Sequence, residues 1–105
     1  MHDIKAVRYV ISELEKLEEK PKKIIVELGR IKGNPNVFRA LFKQFTQGTG
    51  LSGIELEVDE VPVEIRCRCG FAGRVKVIEH LQFARCPKCG KVAEILQGDK
   101  IEIKY

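Results

Sequence analysis

Four cysteines arranged as two close pairs constrain this 105-residue chain more than any other feature. They read Cys67-Arg68-Cys69-Gly70 and then, across residues 70–85, Cys86-Pro87-Lys88-Cys89-Gly90. A chain this short buries only about 60–65% of its unfolded surface, so its core is marginal and a cross-link or bound metal has much to add. The opening Met1-His2-Asp3 lacks the basic and then apolar layout of a signal peptide, and no apolar run approaches the roughly 20 residues that span a bilayer. The expected location is therefore the cytoplasm, with no membrane partner. In a reducing compartment, paired cysteines are metal ligands rather than disulfides. In Cys-Pro-x-Cys-Gly the proline sets the turn, the two intervening residues let both sulfurs face one ion, and the glycine accepts a positive φ. Cys67, Cys69, Cys86 and Cys89 together supply four thiolates, a closed tetrahedral set expected to hold structural Zn(II) rather than catalytic zinc. The first pair has one intervening residue where a zinc knuckle ordinarily has two. Its tighter loop leaves less room for backbone N–H groups to face the sulfurs, which predicts lower affinity and greater redox sensitivity.

The net charge of +4 is unevenly placed. Residues 1–60 carry ten bases and ten acids, whereas residues 61–105 hold the whole excess. Between Arg66 and Lys91 seven bases face one acid, Glu79, a local +6. A nucleic-acid patch is one reading. Charge compensation is the other, because four thiolates on one Zn(II) bring a net −2 that nearby bases offset. The bases are scattered and few aromatics accompany them for stacking, which disfavours nucleic acid.

Along the chain, Ile4, Val7, Val10, Ile11, Leu14 and Leu17 recur at helical spacing and predict an amphipathic helix of about 16 residues, capped by Asp3 and stopped by Pro21. Residues 24–31 are short and β-branched, a strand with a bulge at Gly29. Asn34-Pro35 opens a second helix whose apolar stripe is Val37, Phe38, Leu41, Phe42 and Phe45, with Gly48 as its C-cap. From Ile54 to Ile65 the alternation changes parity near Glu60, which predicts a bulge there, and Pro62 suits an edge or such a bulge. Glu55, Glu57 and Asp59 form the solvent face of that strand. Residues 93–96 and 100–103 flank Gln97-Gly98-Asp99 as a hairpin or a bulged long strand. The expected fold class is α+β: a small mixed β-sheet with two helices and an inserted zinc-ribbon-like module. The expected domains are residues 1–66 plus 91–105, and a cysteine module over residues 67–90.

Few structural explanations apply to His2, because a residue this close to a terminus is seldom fixed by packing. The Met1 amine, the His2 amide nitrogen and the His2 imidazole close adjoining chelate rings, a planar nitrogen set that suits Ni(II) or Cu(II). Asp3 adds a carboxylate, either to that ion or to the helix N-cap. His80, inside the cysteine segment, is either a surface histidine or an extra metal donor. No catalytic triad, phosphate loop or paired-carboxylate site is present; Gly48-Thr49-Gly50 lacks the lysine and the strand-to-helix setting of a phosphate loop. The chain is not expected to be an enzyme.

Met1-His2-Asp3, the opening helix, the strand ending Glu27-Leu28-Gly29, the Phe-rich helix running into Thr46-Gln47-Gly48-Thr49, the segment Gly53-Ile54-Glu55-Leu56-Glu57 and the paired cysteines together resemble the HypA family. That resemblance implies a nickel metallochaperone for [NiFe]-hydrogenase maturation, with nickel at the N-terminus on His2, structural zinc on Cys67, Cys69, Cys86 and Cys89, and as partners a HypB-type GTPase and the hydrogenase large subunit. The family usually has Met-His-Glu and Cys-x-x-Cys where this chain has Asp3 and Cys67-x-Cys69. The reading from a different class is a zinc-ribbon module that binds nucleic acid or a transcription assembly through Arg68, Arg74, Lys76 and Lys88.

Overall fold

Val7, Val10 and Leu14 fall on one face of the first helix, and burying them is what that helix is for: each is fully sheltered from solvent. In the computed structural model, which describes residues 2–76 and 83–105 and only the backbone of His2, this helix, α1, spans His2–Glu15. It ends well before Pro21, so proline is not its stop. Lys20 donates from Nζ to the carbonyls of Glu15 (3.2 Å) and Leu17, a cation satisfying the orphan acceptors of the final turn. Strand β1, Lys23–Gly29, turns Ile24, Val26 and Leu28 to the helical side. Helix α2 spans Pro35–Thr46 with Asn34 as the expected N-cap, its Oδ1 accepting from the N–H groups of Asn36 (2.9 Å) and Val37 (3.3 Å). The C-cap is Gln47, and Gly48 follows it at φ 77°, the left-handed position that ends many helices.

The remaining strands are β2 (Glu55–Val61), β3 (Val63–Arg66), β4 (Ala72–Val75), β5 (Ala84–Arg85), β6 (Val92–Gln97) and β7 (Ile101–Lys104). They make two sheets, ordered β2-β1-β7 and β4-β3-β6-β5. The first is mixed, with β1 parallel to β2 and antiparallel to β7. Both helices cover one face of it, where Phe38 and Phe42 of α2 pack with α1, Ile24, Val26, Leu28 and Val58. Glu55, Glu57 and Asp59 lie exposed on the other face, as expected. The fold is α+β, with two helices among the described residues, as the sequence predicts. No helix of the described residues is long and apolar enough to cross a membrane.

Three expectations about the strands need correction. The parity change near Glu60 is not a bulge: β2 ends at Val61, β3 starts at Val63, and the chain changes sheets across Pro62. The segment around Gly98 is likewise neither hairpin nor one long strand, since β6 belongs to the second sheet and β7 to the first. Gly29 is not a bulge either, because its N–H continues the β1–β7 ladder to the Lys100 carbonyl at 2.8 Å. A Cβ there would lie 2.5 Å from the backbone of Gly98, so close approach of two chains is what requires glycine. The second sheet takes in β3 and β6, extending past residues 66 and 91 on both sides.

The two sheet crossings touch. Gly98 has φ 96°, and a Cβ on it would meet Val63 Cα at 2.7 Å and the Pro62 carbonyl at 2.8 Å, while Gln97 Nε2 donates to that carbonyl at 3.1 Å. Gly48, also left-handed, has open space around it. In urea denaturation Gly48→Ala is expected to cost about 1–2 kcal/mol, the left-handed penalty alone. Gly98→Ala adds backbone overlap to the same penalty and should cost clearly more; equal losses would show that crowding at the crossing is not what holds Gly98.

Candidate metal centre

The second sheet brings the cysteines together by topology. Strands β3 and β6 are antiparallel neighbours with Arg66 opposite Glu94, so the end of β3 lies beside the start of β6. The β3–β4 and β5–β6 turns therefore emerge at the same end of the sheet. Each turn is closed by backbone hydrogen bonds. In the first, Cys67 N–H donates to Phe71 O (2.8 Å) and Gly70 N–H to Cys67 O (3.0 Å); in the second, Cys86 N–H donates to Lys91 O and Gly90 N–H to Cys86 O, both at 2.8 Å. Gly70 and Gly90, each following the second cysteine of its pair, have φ of 100° and 77°. That is the conformation expected of Gly90 from the Cys-Pro-x-Cys-Gly pattern, and Gly70 shares it.

The four sulfurs all lie within 4.8 Å of one another. Cys67 and Cys89 approach to 3.5 Å and Cys69 and Cys86 to 3.6 Å. A tetrahedral ion with metal–sulfur bonds of about 2.3 Å needs sulfur–sulfur edges of about 3.8 Å; two separations are close to that and none exceeds 4.8 Å, so the four sulfurs are grouped as one such ion requires. Burial pushes the Cys86 thiol up, but the backbone N–H groups of Cys89 and Lys88 and the thiols of Cys69 and Cys89 outweigh it and bring it down to about 7. A thiol so placed gives up its proton readily to a metal. Cys86 is 2% exposed, whereas Cys69 and Cys89 reach the surface.

Three of the seven bases around the cysteines have local partners among the described residues. Arg66 pairs with Glu94 at 2.9 Å and Arg74 with Glu64 at 3.4 Å. Arg85 donates to the Gly90 carbonyl at 3.1 Å and lies over the Phe83 ring. Arg74, one of the four bases of the nucleic-acid reading, is thus held by an acid on its own sheet.

Asp3 does not join this centre. Among the described residues the four cysteines are the one group of three or more potential metal ligands close enough to share an ion. Nor does Asp3 cap its own helix, which already begins at His2. Its Oδ1 accepts instead from the N–H of Asn34, 31 residues away, at 2.7 Å. Gly33 makes room for it, since a Cβ there would stand 2.9 Å from the same oxygen. The carboxylate so ties the start of α1 to the start of α2. No local pattern announces this contact; the one hint is a glycine directly before the Asn34 cap. Met1 and His80 lie outside the described residues, as does the His2 side chain.

Against known families, the model described as hydrogenase/urease nickel incorporation, metallochaperone, hypA matches residues 1–105. The hydrogenase maturation factor HypA of Methanothermobacter thermautotrophicus is 36% identical over 89 residues, covering 80% of this chain and 73% of its own. That of Lawsonia intracellularis is 31% identical over 100 residues, covering 87% and 83%. The solution structure of the Ni metallochaperone HypA from Helicobacter pylori superposes with a TM-score of 0.63 at 21% identity, over all of this chain and 95% of that one, a likeness of fold.

Losing the Asp3 tether leaves a part-buried N–H without its partner, a loss of about 1–3 kcal/mol. Asp3→Ala should lower the denaturation midpoint accordingly, and Asp3→Asn, which keeps an acceptor oxygen, should recover at least half of the loss. If Asn behaves like Ala, the hydrogen bond is not what Asp3 contributes.

Proposed function

The chain belongs to the HypA family, and from that premise we propose that it is a nickel carrier for [NiFe]-hydrogenase maturation, with cargo at its N-terminus and a structural Zn(II) on Cys67, Cys69, Cys86 and Cys89. The observation that carries this reading is the division of donors between two places. Four sulfurs converge at the end of the second sheet, whereas His2 opens α1 on the first. A closed four-thiolate set suits zinc, which has no redox chemistry there and holds the two turns together. Such binding supplies folding free energy on the order of 10 kcal/mol.

The N-terminal site takes the Met1 amine, the His2 amide nitrogen and the His2 imidazole. The first N–H groups of a helix have no intrahelical partner, so the His2 amide can serve a metal without breaking the α1 ladder. Asp3 offers its second oxygen, since Oδ1 is taken by Asn34. These donors must be deprotonated to bind, so nickel loads near neutral pH and leaves as acid protonates His2. A terminal site is also open to ligand exchange: a recipient's donors replace those of the carrier one at a time, a transfer that a closed four-thiolate set resists. The chain itself catalyses nothing in this scheme. It acts in the cytoplasm, receives or passes nickel with a HypB-type GTPase, and delivers to the hydrogenase large subunit.

Calorimetric nickel titration of the untagged protein, beside His2→Ala and a variant with Gly-Ser before Met1, tests the cargo site. The wild type should bind one Ni(II) per chain in addition to its zinc, and both variants should lose it while keeping zinc at one per chain by elemental analysis. Equal nickel binding by all three would place the cargo elsewhere. Cys86→Ser should lose zinc and the ordered second sheet. Steeply salt-dependent RNA or DNA binding indifferent to both N-terminal changes would favour the zinc-ribbon reading instead.

A further inference from the structure

Strand β7 ends the first sheet, and its far side pairs with nothing among the described residues. Gly29 N–H donates to Lys100 O at 2.8 Å and Ile31 N–H to Gly98 O at 3.1 Å. The register continues with Glu27 opposite Glu102 and Ile25 opposite Lys104. In antiparallel pairing the backbone groups alternate, so if Lys100, Glu102 and Lys104 face β1, the N–H and C=O of Ile101 and Ile103 point outward. That edge has no proline and no bulge to blunt it.

A groove of about 710 Å³ runs along it, between β7 and α1. Its floor is Ala6, Tyr9 and Ile101, and its rim is Lys5, Lys32, Lys100 and Glu102. Tyr9 is 47% exposed, an aromatic ring left open beside an open strand. Three lysines against one glutamate make the rim positive, and none of the three has an ion-pair partner among the described residues. The two lysines of the sheet's other face do have partners, Lys23 with Glu57 at 3.8 Å and Lys104 with Glu27.

We propose that this groove receives an extended acidic segment of a partner protein, which adds a strand to β7. Its backbone pairs with Ile101 and Ile103, its apolar side chains rest on Tyr9, and its carboxylates reach Lys5, Lys32 and Lys100. Main-chain pairing supplies affinity without sequence demand, and the lysines select an acidic strand over a basic one. The docking does not depend on which metal the N-terminus carries.

The probe is a fluorescein-labelled octapeptide alternating Glu and Val, followed by anisotropy at low salt against the zinc-loaded protein. The wild type should bind it, and the combined Lys5→Glu, Lys32→Glu, Lys100→Glu variant should bind about tenfold more weakly. A control with equal charge change elsewhere, Lys22→Glu, Lys43→Glu, Lys91→Glu, should stay within about twofold of the wild type, circular dichroism establishing that both variants fold. Failure of the wild type to bind, or an equal loss in the control, overturns the groove. Strand addition is tested by two isomers of the peptide, N-methylated at alternate residues on one edge or the other. One isomer should bind like the parent and the other should lose binding; if both bind alike, the peptide does not extend the sheet.

Discussion

The chain passes from its first sheet to its second at Pro62 and returns at Gly98, and these crossings are packed backbone against backbone. Gly98 lies so near Val63 that no side chain fits between them, and Gln97 holds the Pro62 carbonyl. A third segment joins them: Arg30 N–H donates to Val61 O at 2.9 Å and Ile31 N–H to Gly98 O at 3.1 Å. Arg30 also reaches Glu60 across the same junction at 3.3 Å. The antiparallel pairing of β3 with β6 starts from this point, and that pairing sets both cysteine turns at one end of the second sheet. The geometry of the metal centre is therefore decided some distance from the sulfurs, by two residues that carry the chain across.

Why the second sheet needs those sulfurs follows from what lies beneath it. Among the described residues its buried cluster is Ile31, Val63, Ile65, Ala84 and Cys86, with Cys67, Phe71, Val75, Ala93 and Ile95 partly buried against it, whereas the first sheet rests on both helices and eleven buried side chains. Ordering four strands costs conformational entropy that the smaller described cluster offsets less fully than the first core does, so a cross-link has more to add here. Cys86 belongs to both the cluster and the ligand set, so the same residue packs and ligates. A metal there joins two turns separated by about twenty residues of chain, and closure of a loop of that size gains its stability mainly by restricting the unfolded state.

Legibility in the sequence tracked the range of the interactions involved. Asn34-Pro35 and the two cysteine–glycine turns were readable because their chemistry is complete within five residues. The parity change near Glu60 was readable as a break but not as a change of sheet. Alternation reports only which side of the chain is buried, and a bulge and a crossing both exchange the two sides. Gln97-Gly98-Asp99 misled in the same way, since two short strands around a glycine have one pattern whether they pair with each other or with different sheets. The contact of Asp3 with Asn34 was invisible for a further reason: an aspartate next to a helix start already has a local use as a cap, and nothing nearby says that the carboxylate looks outward instead.

Charge shows most plainly what a sum conceals. The first sixty residues balance to zero, yet their charges are not mixed in space, and those of the last strand join them. Glu27, Asp59 and Glu102 lie abreast in the register of the first sheet, with Lys104 drawn to Glu27 and its ammonium pKa raised by that hydrogen bond and charge. Lys5 and Lys32 sit instead with Lys100 at the groove beside α1. Carboxylates directly opposite one another across strands are destabilising, so the row on one face carries an electrostatic cost that Lys104 reduces. Around the cysteines the imbalance runs the other way: the excess is larger, but Arg66 and Arg74 have acidic partners and Arg85 is held by the Gly90 carbonyl and the Phe83 ring. Arg68, Lys76, Lys88 and Lys91 have no ion-pair partner among the described residues, so positive charge open to a partner lies in two places: around the thiolates, and beside α1, where Lys5 and Lys32 of the neutral stretch meet Lys100 of the basic one.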